Sequence, residues 1–158
     1  MIYSTRGKYA KMLEKIIKEK ISADHLLYVS LKYTKTCDVI INLIKRWTVM
    51  ISDSIDGLLE QLKKKKKIKS IPAAPRQKIE LAKKEFKKSH EVMKALELYE
   101  FFRRIENLRT VRESEFRKDV RLKVYNGAET VINLDKLKEY SMTLESFISY
   151  VKQFLLAK

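Results

Sequence analysis

The sequence predicts a mainly α protein, an antiparallel helical bundle that carries a small C-terminal β-hairpin. Long stripes of apolar residues with alternating steps of three and four predict amphipathic helices in both halves of the chain. Around Asn126 and Gly127 the apolar period changes to two, which is typical of two strands joined by a tight turn. Helices joined by short connections pack antiparallel, so one bundle accounts for all of these elements.

The first two helices are predicted from their apolar stripes. The first is expected over roughly residues 5–20. The second is expected to begin after an N-cap at Ser22, and its stripe is longer than the usual helix of about 8–20 residues. We favour one continuous or gently kinked helix over a break near Asp53 or Gly57. The stripe consists of Leu26, Ser30, Tyr33, Cys37, Ile40, Ile44, Trp47, Ile51, Ser54 and Leu58.

Pro72 and Pro75 mark the one clear internal break, because proline lacks an amide donor and has a fixed φ. A short basic helix is expected after it, over roughly residues 76–88. A longer helix is expected over roughly residues 91–118. Its apolar side is assigned to the core, including the aromatic residues, and consists of Leu98, Tyr99, Phe101, Phe102, Ile105, Leu108, Val111 and Phe116.

The hairpin is expected to pair residues 120–124 with Val131 and Ile132. Asn133 is expected to cap the last helix, whose stripe extends to Phe154. An isolated two-stranded hairpin is marginal in water, so it should lie against the bundle or pair with the hairpin of a second protomer. The second arrangement would make a homodimer.

The composition excludes several classes of function. One Cys and two His among 158 residues cannot form a disulfide or a Cys/His zinc site within one chain. Gly7, Gly57 and Gly127 are too far apart for a phosphate-binding loop or a dinucleotide fingerprint, so we expect no cofactor, no metal site and no catalytic residue. No signal peptide and no membrane span is evident, which predicts a single cytoplasmic domain over residues 1–158.

Positive charge is concentrated in one part of the chain. Residues 63–88 hold 12 of the 35 basic residues and two of the 20 acidic ones. Such a segment attracts phosphate polymers without regard to base sequence, which predicts binding of RNA or DNA. The alternatives are a solvated Lys- and Pro-rich connection at about residues 63–75, or contact with an acidic protein or a membrane surface. The predicted phosphate-binding residues are Lys63, Lys64, Lys65, Lys66, Lys67, Lys69, Arg76 and Lys78.

A second basic cluster is expected to form a salt-bridged helix face, because four carboxylates are interleaved with it. It consists of Arg103, Arg104, Arg109, Arg112, Arg117, Lys118, Arg121 and Lys123. Cys37 lies on an apolar stripe without a His at helical spacing, which predicts a buried, inert thiol. His25 and His90 are assigned surface or capping roles. Asp38 would need an Arg or hydroxyl partner if it were buried.

Parts of the chain resemble known helical proteins. The segments Ala23–Thr34 and Glu115–Val120, with the helix–hairpin–helix ending, resemble a family of archaeal helical-bundle proteins. The bundle also resembles HEPN domains, which are helical and often dimeric, and whose active members cut RNA with an Arg-x4-6-His motif. This chain lacks that motif, because the nearest upstream Arg is Arg76 for His90 and Arg6 for His25. The resemblance therefore implies a non-catalytic version of such a bundle.

These observations together predict a non-catalytic binding protein without membrane association, a homodimer whose partner is nucleic acid. RNA or single strands are favoured over a specific duplex site, because contacts to phosphates do not read base sequence. Two alternatives stay open at this point. One is a HEPN-like ribonuclease, and the other is a scaffold that binds an acidic protein.

Overall fold

The computed structural model describes residues 2–157, with side chains described from Gly7 onward. It confirms a mainly α bundle, with a small antiparallel sheet of three strands near the C-terminus. In chain order the elements are α1 (Ile2–His25), a π-helical turn (Leu26–Ser30), α2 (Leu31–Tyr33), α3 (Cys37–Lys64), α4 (Pro75–Glu85), α5 (His90–Arg104), a 3-10 turn (Ile105–Asn107), β1 (Arg109–Glu113), β2 (Arg121–Asn126), β3 (Ala128–Ile132) and α6 (Leu134–Leu156).

The predicted boundary between the first two helices is wrong. The chain stays helical through Ser22 as far as Tyr33, and the next long helix begins at Cys37. The reason is the Thr-rich connection, where Thr34 and Thr36 have extended backbone conformations. The Thr36 hydroxyl accepts a hydrogen bond from the backbone N–H of Val39 at 3.4 Å and so caps α3. The predicted stripe therefore crosses a loop.

Helix α3 lies at the centre of the bundle, and it has no break at Asp53 or Gly57. Helix α1 packs antiparallel to it, because Lys8 pairs with Glu60 at 3.2 Å and Lys15, seven residues later, pairs with Asp53, seven residues earlier, at 3.5 Å. Helix α6 runs parallel to it, because the Gln61 amide nitrogen donates to the carbonyl oxygen of Phe154 at 3.1 Å near both C-terminal ends. A Cβ on Gly57 would lie 3.3 Å from Leu155, so the glycine allows α6 to approach closely.

The helix expected over residues 91–118 is correct only in its first half. Helix α5 ends at Arg104, a 3-10 turn follows, and Arg109–Glu113 form the edge strand β1. The side chains of β1 are exposed or half-buried. An edge strand of this kind has no apolar alternation to reveal it, while Thr110 and Val111 are β-branched and favour extended backbone. Tyr99 and Phe102 are buried in the core, as predicted.

The predicted hairpin and the last helix are confirmed. Strand β2 pairs with β3 across Gly127, which has a φ of 77°, and β1 is added on the other side of β2. Leu122 and Ile132 are buried from this sheet into the bundle. The Asn133 side chain accepts a hydrogen bond from the Lys136 backbone N–H at 2.9 Å and so caps α6. Within residues 2–157 no helix combines the length and apolar composition needed to cross a membrane.

Candidate functional site

The Lys-rich segment, residues 63–69, forms a closed turn at the C-terminal end of α3. The backbone N–H of Lys67 donates to the carbonyl of Leu62 at 2.9 Å, and the N–H of Lys66 donates to that of Lys63 at 3.0 Å. This pair of bonds, with Lys66 at a φ of 60°, is the Schellman pattern that ends many helices. Lys66 therefore occupies a position that glycine usually fills.

The lysines of this segment are exposed, and the described part of the chain offers them no carboxylate partner. Lys63 to Lys67 and Lys69 are all exposed, and none of them forms an ion pair with a described residue. Ile68 packs against the core between them and fixes the segment to the bundle. The structure thus brings six of the predicted phosphate-binding residues together on one fixed turn.

Two lysines of the Lys-rich segment also contact aromatic rings. The Lys64 ammonium lies 5.3 Å from the centroid of the Tyr9 ring, and the Lys65 ammonium lies 5.0 Å from that of Phe154. Such cation–π contacts contribute about 0.5–1 kcal/mol at exposed sites. Positive charge in the last turn of a helix is also favourable against the helix dipole. Lys64 and Lys65 therefore stabilise this end of the bundle whatever they bind.

Arg76 and Lys78 are placed differently by the structure. Arg76 is exposed in the first turn of α4, just after Pro75. The Lys78 ammonium lies 2.8 Å from a carboxylate oxygen of Asp56 and is half-buried, so its charge is already balanced. Lys78 is the weakest member of the predicted set.

The prediction of a salt-bridged helix face is wrong for most of the second basic cluster. Only three of its eight members form ion pairs with described residues, and these three lie in strands: Arg112, Arg121 and Lys123. Arg121 and Lys123 both contact a carboxylate oxygen of Glu113, at 2.8 and 3.2 Å. Their hydrogen bonds hold the pKa of Glu113 below its usual range. Arg112 lies 2.8 Å from Asp38, which is exposed and not buried. These ion pairs tie β1 and β2 to each other and to the start of α3.

Cys37 is a buried thiol, as predicted. Its backbone N–H donates to a carboxylate oxygen of Glu115 at 2.8 Å, so a residue of the β1–β2 loop caps the first turn of α3. Burial, with the Glu115 carboxylate nearby, raises the pKa of the Cys37 thiol to about 11. A thiol that resists ionisation is a poor nucleophile at neutral pH.

The two histidines do not form a site together. His25 is exposed at the end of α1, where its Nδ1 lies 3.4 Å from the Ser30 hydroxyl oxygen. His90 is exposed at the start of α5, at the opposite end of the bundle, which also holds Phe86 and Phe154. Among the described residues no group of three His, Cys, Asp or Glu side chains is placed to hold a metal ion.

Three exposed aromatic residues were not identified from the sequence. Tyr33 is 78% exposed although it lies on the predicted apolar stripe, and Phe116 is 77% exposed although it was assigned to a helical core face. Tyr28, in the π-helical turn, is 54% exposed. Both wrong assignments follow from wrong helix boundaries, because a residue at helical spacing faces the core only where the helix exists.

Comparisons of the chain with protein families, with curated proteins and with solved structures found no match in any of the three. The resemblance to archaeal helical bundles therefore stays a prediction. Function has to be inferred from the charge, exposure and geometry of the described residues.

Proposed function

We propose that this protein is a non-catalytic binding protein for RNA or single-stranded DNA, and that the Lys-rich segment holds the phosphates. The observation that carries the proposal is the group of six exposed lysines without carboxylate partners on one fixed turn. Elsewhere on the surface Lys8, Lys15 and Lys20 each lie beside a carboxylate, and no other stretch of the described chain holds six unpaired lysines within seven residues. When unpaired lysines at high density bind a phosphate polymer, they displace the counterions condensed on the polymer, and the release of these counterions supplies affinity.

The fixed backbone favours this function over a solvated linker. A solvated linker has no need of ordered structure, whereas this segment closes the α3 helix, packs Ile68 on the core and sets Lys66 at a positive φ. Fixed charges bind a polyanion with less loss of conformational entropy than mobile ones. Arg76 adds a further exposed charge where the chain enters α4.

The test replaces Lys63 to Lys67 together with glutamine and measures binding of a labelled 20-nucleotide RNA by fluorescence anisotropy at two salt concentrations. The expected result is weaker binding and a shallower salt dependence, with the slope of log K against log salt smaller by about 0.7 for each phosphate that the variant no longer neutralises. Glutamine has nearly the helix propensity of lysine at Lys63 and Lys64. Because Lys64 and Lys65 lose their contacts with Tyr9 and Phe154, circular dichroism and thermal unfolding of the variant are measured beside its binding.

The matched control removes the same total charge from lysines spread over four helices. It replaces Lys11, Lys18, Lys45, Lys94 and Lys136 with glutamine. This variant should keep most of the affinity and nearly the wild-type salt slope. Equal losses in the two variants would mean that only net charge matters and would refute the proposed site. Gel filtration of the nuclease-treated protein tests the predicted homodimer, which would have twice the mass of the 18.7 kDa chain.

A further inference from the structure

The end of the bundle that carries the sheet exposes three aromatic rings. Tyr28, Tyr33 and Phe116 are the aromatic members of the exposed large apolar side chains in the described part of the chain. Aromatic side chains usually bury a large apolar area, so three exposed rings at one end of a small protein need an explanation.

The backbone brings these residues to one region. The N–H of Phe116 donates to the carbonyl oxygen of Lys35 at 2.6 Å, which holds the β1–β2 loop against the Thr34–Thr36 connection. Tyr33 directly precedes that connection. Tyr28 lines a surface depression together with Lys35 and Lys118, which comes from the β1–β2 loop.

The depression has an apolar floor and a basic rim. Its volume is about 200 Å³, and Leu31 and Val120 form part of the floor. The rim consists of Lys32, Lys35, Lys118 and Lys138, and no carboxylate lines the depression. None of these four lysines forms an ion pair with a described residue, unlike Arg112, Arg121 and Lys123 nearby. The depression is small for an enclosed metabolite pocket, which holds about 300–1,000 Å³, and it suits one flat ring at a surface.

The loop that presents Phe116 is strained and firmly held. Ser114 has a φ of 56° and Phe116 has a φ of 66°. Residues other than glycine seldom adopt this region of backbone conformation. Such conformations persist only where their surroundings fix them, and they concentrate at ligand-binding sites. Here Glu115, between the two strained residues, is held by the N–H of Cys37 at 2.8 Å. The π-helical turn that carries Tyr28 is a second irregularity of a type found often at functional sites.

We propose that this sheet-end surface, made of Tyr28, Tyr33, Phe116 and the four rim lysines, binds unstacked bases of single-stranded nucleic acid. This inference rests on the proposed function and adds a second site at the opposite end of the bundle. The rings stack on bases and the lysines contact the flanking phosphates, which is the combination that proteins use for single strands without strong sequence preference. The Lys-rich segment binds phosphates alone, so only the sheet-end surface should respond to the bases.

The experiment compares two strands with equal numbers of phosphates, a ten-nucleotide oligothymidine and an abasic strand of the same length. The wild-type protein should bind oligothymidine more tightly. Tyr33→Ala and Phe116→Ala should each lower the affinity for oligothymidine by about fivefold or more, with the affinity for the abasic strand unchanged. Tyr33→Phe, which keeps a ring, should keep the affinity. Met142→Ala removes another exposed apolar side chain and is the control.

The outcomes separate this inference from the proposed function. Replacing Lys63 to Lys67 with glutamine should lower the affinity for oligothymidine and for the abasic strand by the same factor. That variant could instead bind both strands with wild-type affinity while Phe116→Ala still lowers the affinity for oligothymidine alone. The Lys-rich segment would then not be the phosphate site, and the proposal for the sheet-end surface would stand. Two results would overturn the base site. In the first, the wild-type protein binds the two strands with equal affinity. In the second, Phe116→Ala lowers the affinity for both strands by the same factor. A third outcome would assign the surface to a protein partner and would also overturn the base site. In that outcome Phe116→Ala lowers the affinity for an acidic, Phe-containing peptide and leaves the affinity for oligothymidine unchanged.

Discussion

Basic side chains lie at both ends of the bundle, but their surroundings differ. At the sheet end Arg112, Arg121 and Lys123 lie within hydrogen-bonding distance of carboxylates that belong to other strands or to α3. At the other end the Lys-rich segment has no carboxylate partner among the described residues. These ion pairs link β1, β2 and α3, whereas the Lys-rich segment, like the four rim lysines of the sheet-end surface, leaves its charge available for a ligand.

The comparison shows why net charge by itself is a poor guide to a binding surface. A guanidinium group has good geometry for phosphate, yet those of Arg112 and Arg121 already contact carboxylates within the protein. A ligand would have to compete with those carboxylates, and each exposed pair contributes about 0–1 kcal/mol. Pairing and exposure, which only the structure gives, decide which basic residues can act.

The largest expected effect compares the sheet with the Lys-rich segment, and it shows whether the sheet contributes more to stability through packing. Leu122 is fully buried and faces the groove that Ile44 and Phe102 line. Leu122→Ala should lower the free energy of unfolding by about 2–4 kcal/mol, because it leaves a cavity. Ile68→Ala, in the Lys-rich segment, should cost less than about 1.5 kcal/mol, since Ile68 is only partly buried. Urea unfolding measures both, and equal losses would contradict the comparison.

A smaller effect tests the link between the β1–β2 loop and α3. Glu115→Ala removes the carboxylate that accepts from the Cys37 N–H, and loss of such a cap costs about 1 kcal/mol. Hydrogen exchange of the Cys37 amide should become faster at the same time. Glu106→Ala is the control, because Glu106 is exposed and forms no ion pair with a described residue, whereas Glu115 also lies 3.9 Å from Arg112. An effect of the same size at Glu106 would show that the loss of a negative charge, and not the cap, is responsible.

The smallest effect concerns the shape of the Lys-rich segment. Lys66→Gly should raise the free energy of unfolding by about 0.5–1 kcal/mol, because glycine adopts a positive φ without strain. Lys67→Gly is the matched control, because it also removes one charge of the segment, at a residue without a positive φ, and it should not stabilise the protein. Thermal unfolding of the two variants gives the comparison. Stabilisation by both would mean that relief of charge repulsion, and not the backbone, is responsible.

The parts of the fold that could be predicted from sequence are those with strong local signals. The Asn133 cap with its long apolar stripe predicted α6, and Asn126 with Gly127 predicted the turn between β2 and β3. The break at Pro72 and Pro75 separates α3 from α4, as expected. Each of these signals acts within a few residues, so tertiary contacts do not override it.

The errors arose where an apolar spacing continued across a change of structure. The step from Tyr33 to Cys37 has helical spacing, yet a three-residue connection lies between them. Val111 fits the spacing of α5 although it lies in β1, an edge strand whose other side chains face outward or only partly inward. The sheet-end surface was missed for the same reason, since Tyr33 and Phe116 were assigned to helical faces. Spacing gives the direction of a side chain only when the helix boundaries are known.

The length of α3 sets the reach of the molecule. Its 28 residues span about 42 Å at 1.5 Å per residue. Under the proposed function, a nucleic-acid strand too short to cover that distance would occupy one end at a time, whereas a longer strand held at the Lys-rich segment would bind the sheet-end surface as a second, intramolecular attachment. Tethering of this kind multiplies two modest affinities without any new contact. The affinity would then depend on the length of the nucleic-acid strand, and it would rise in a step once the strand is long enough to contact both ends of the bundle.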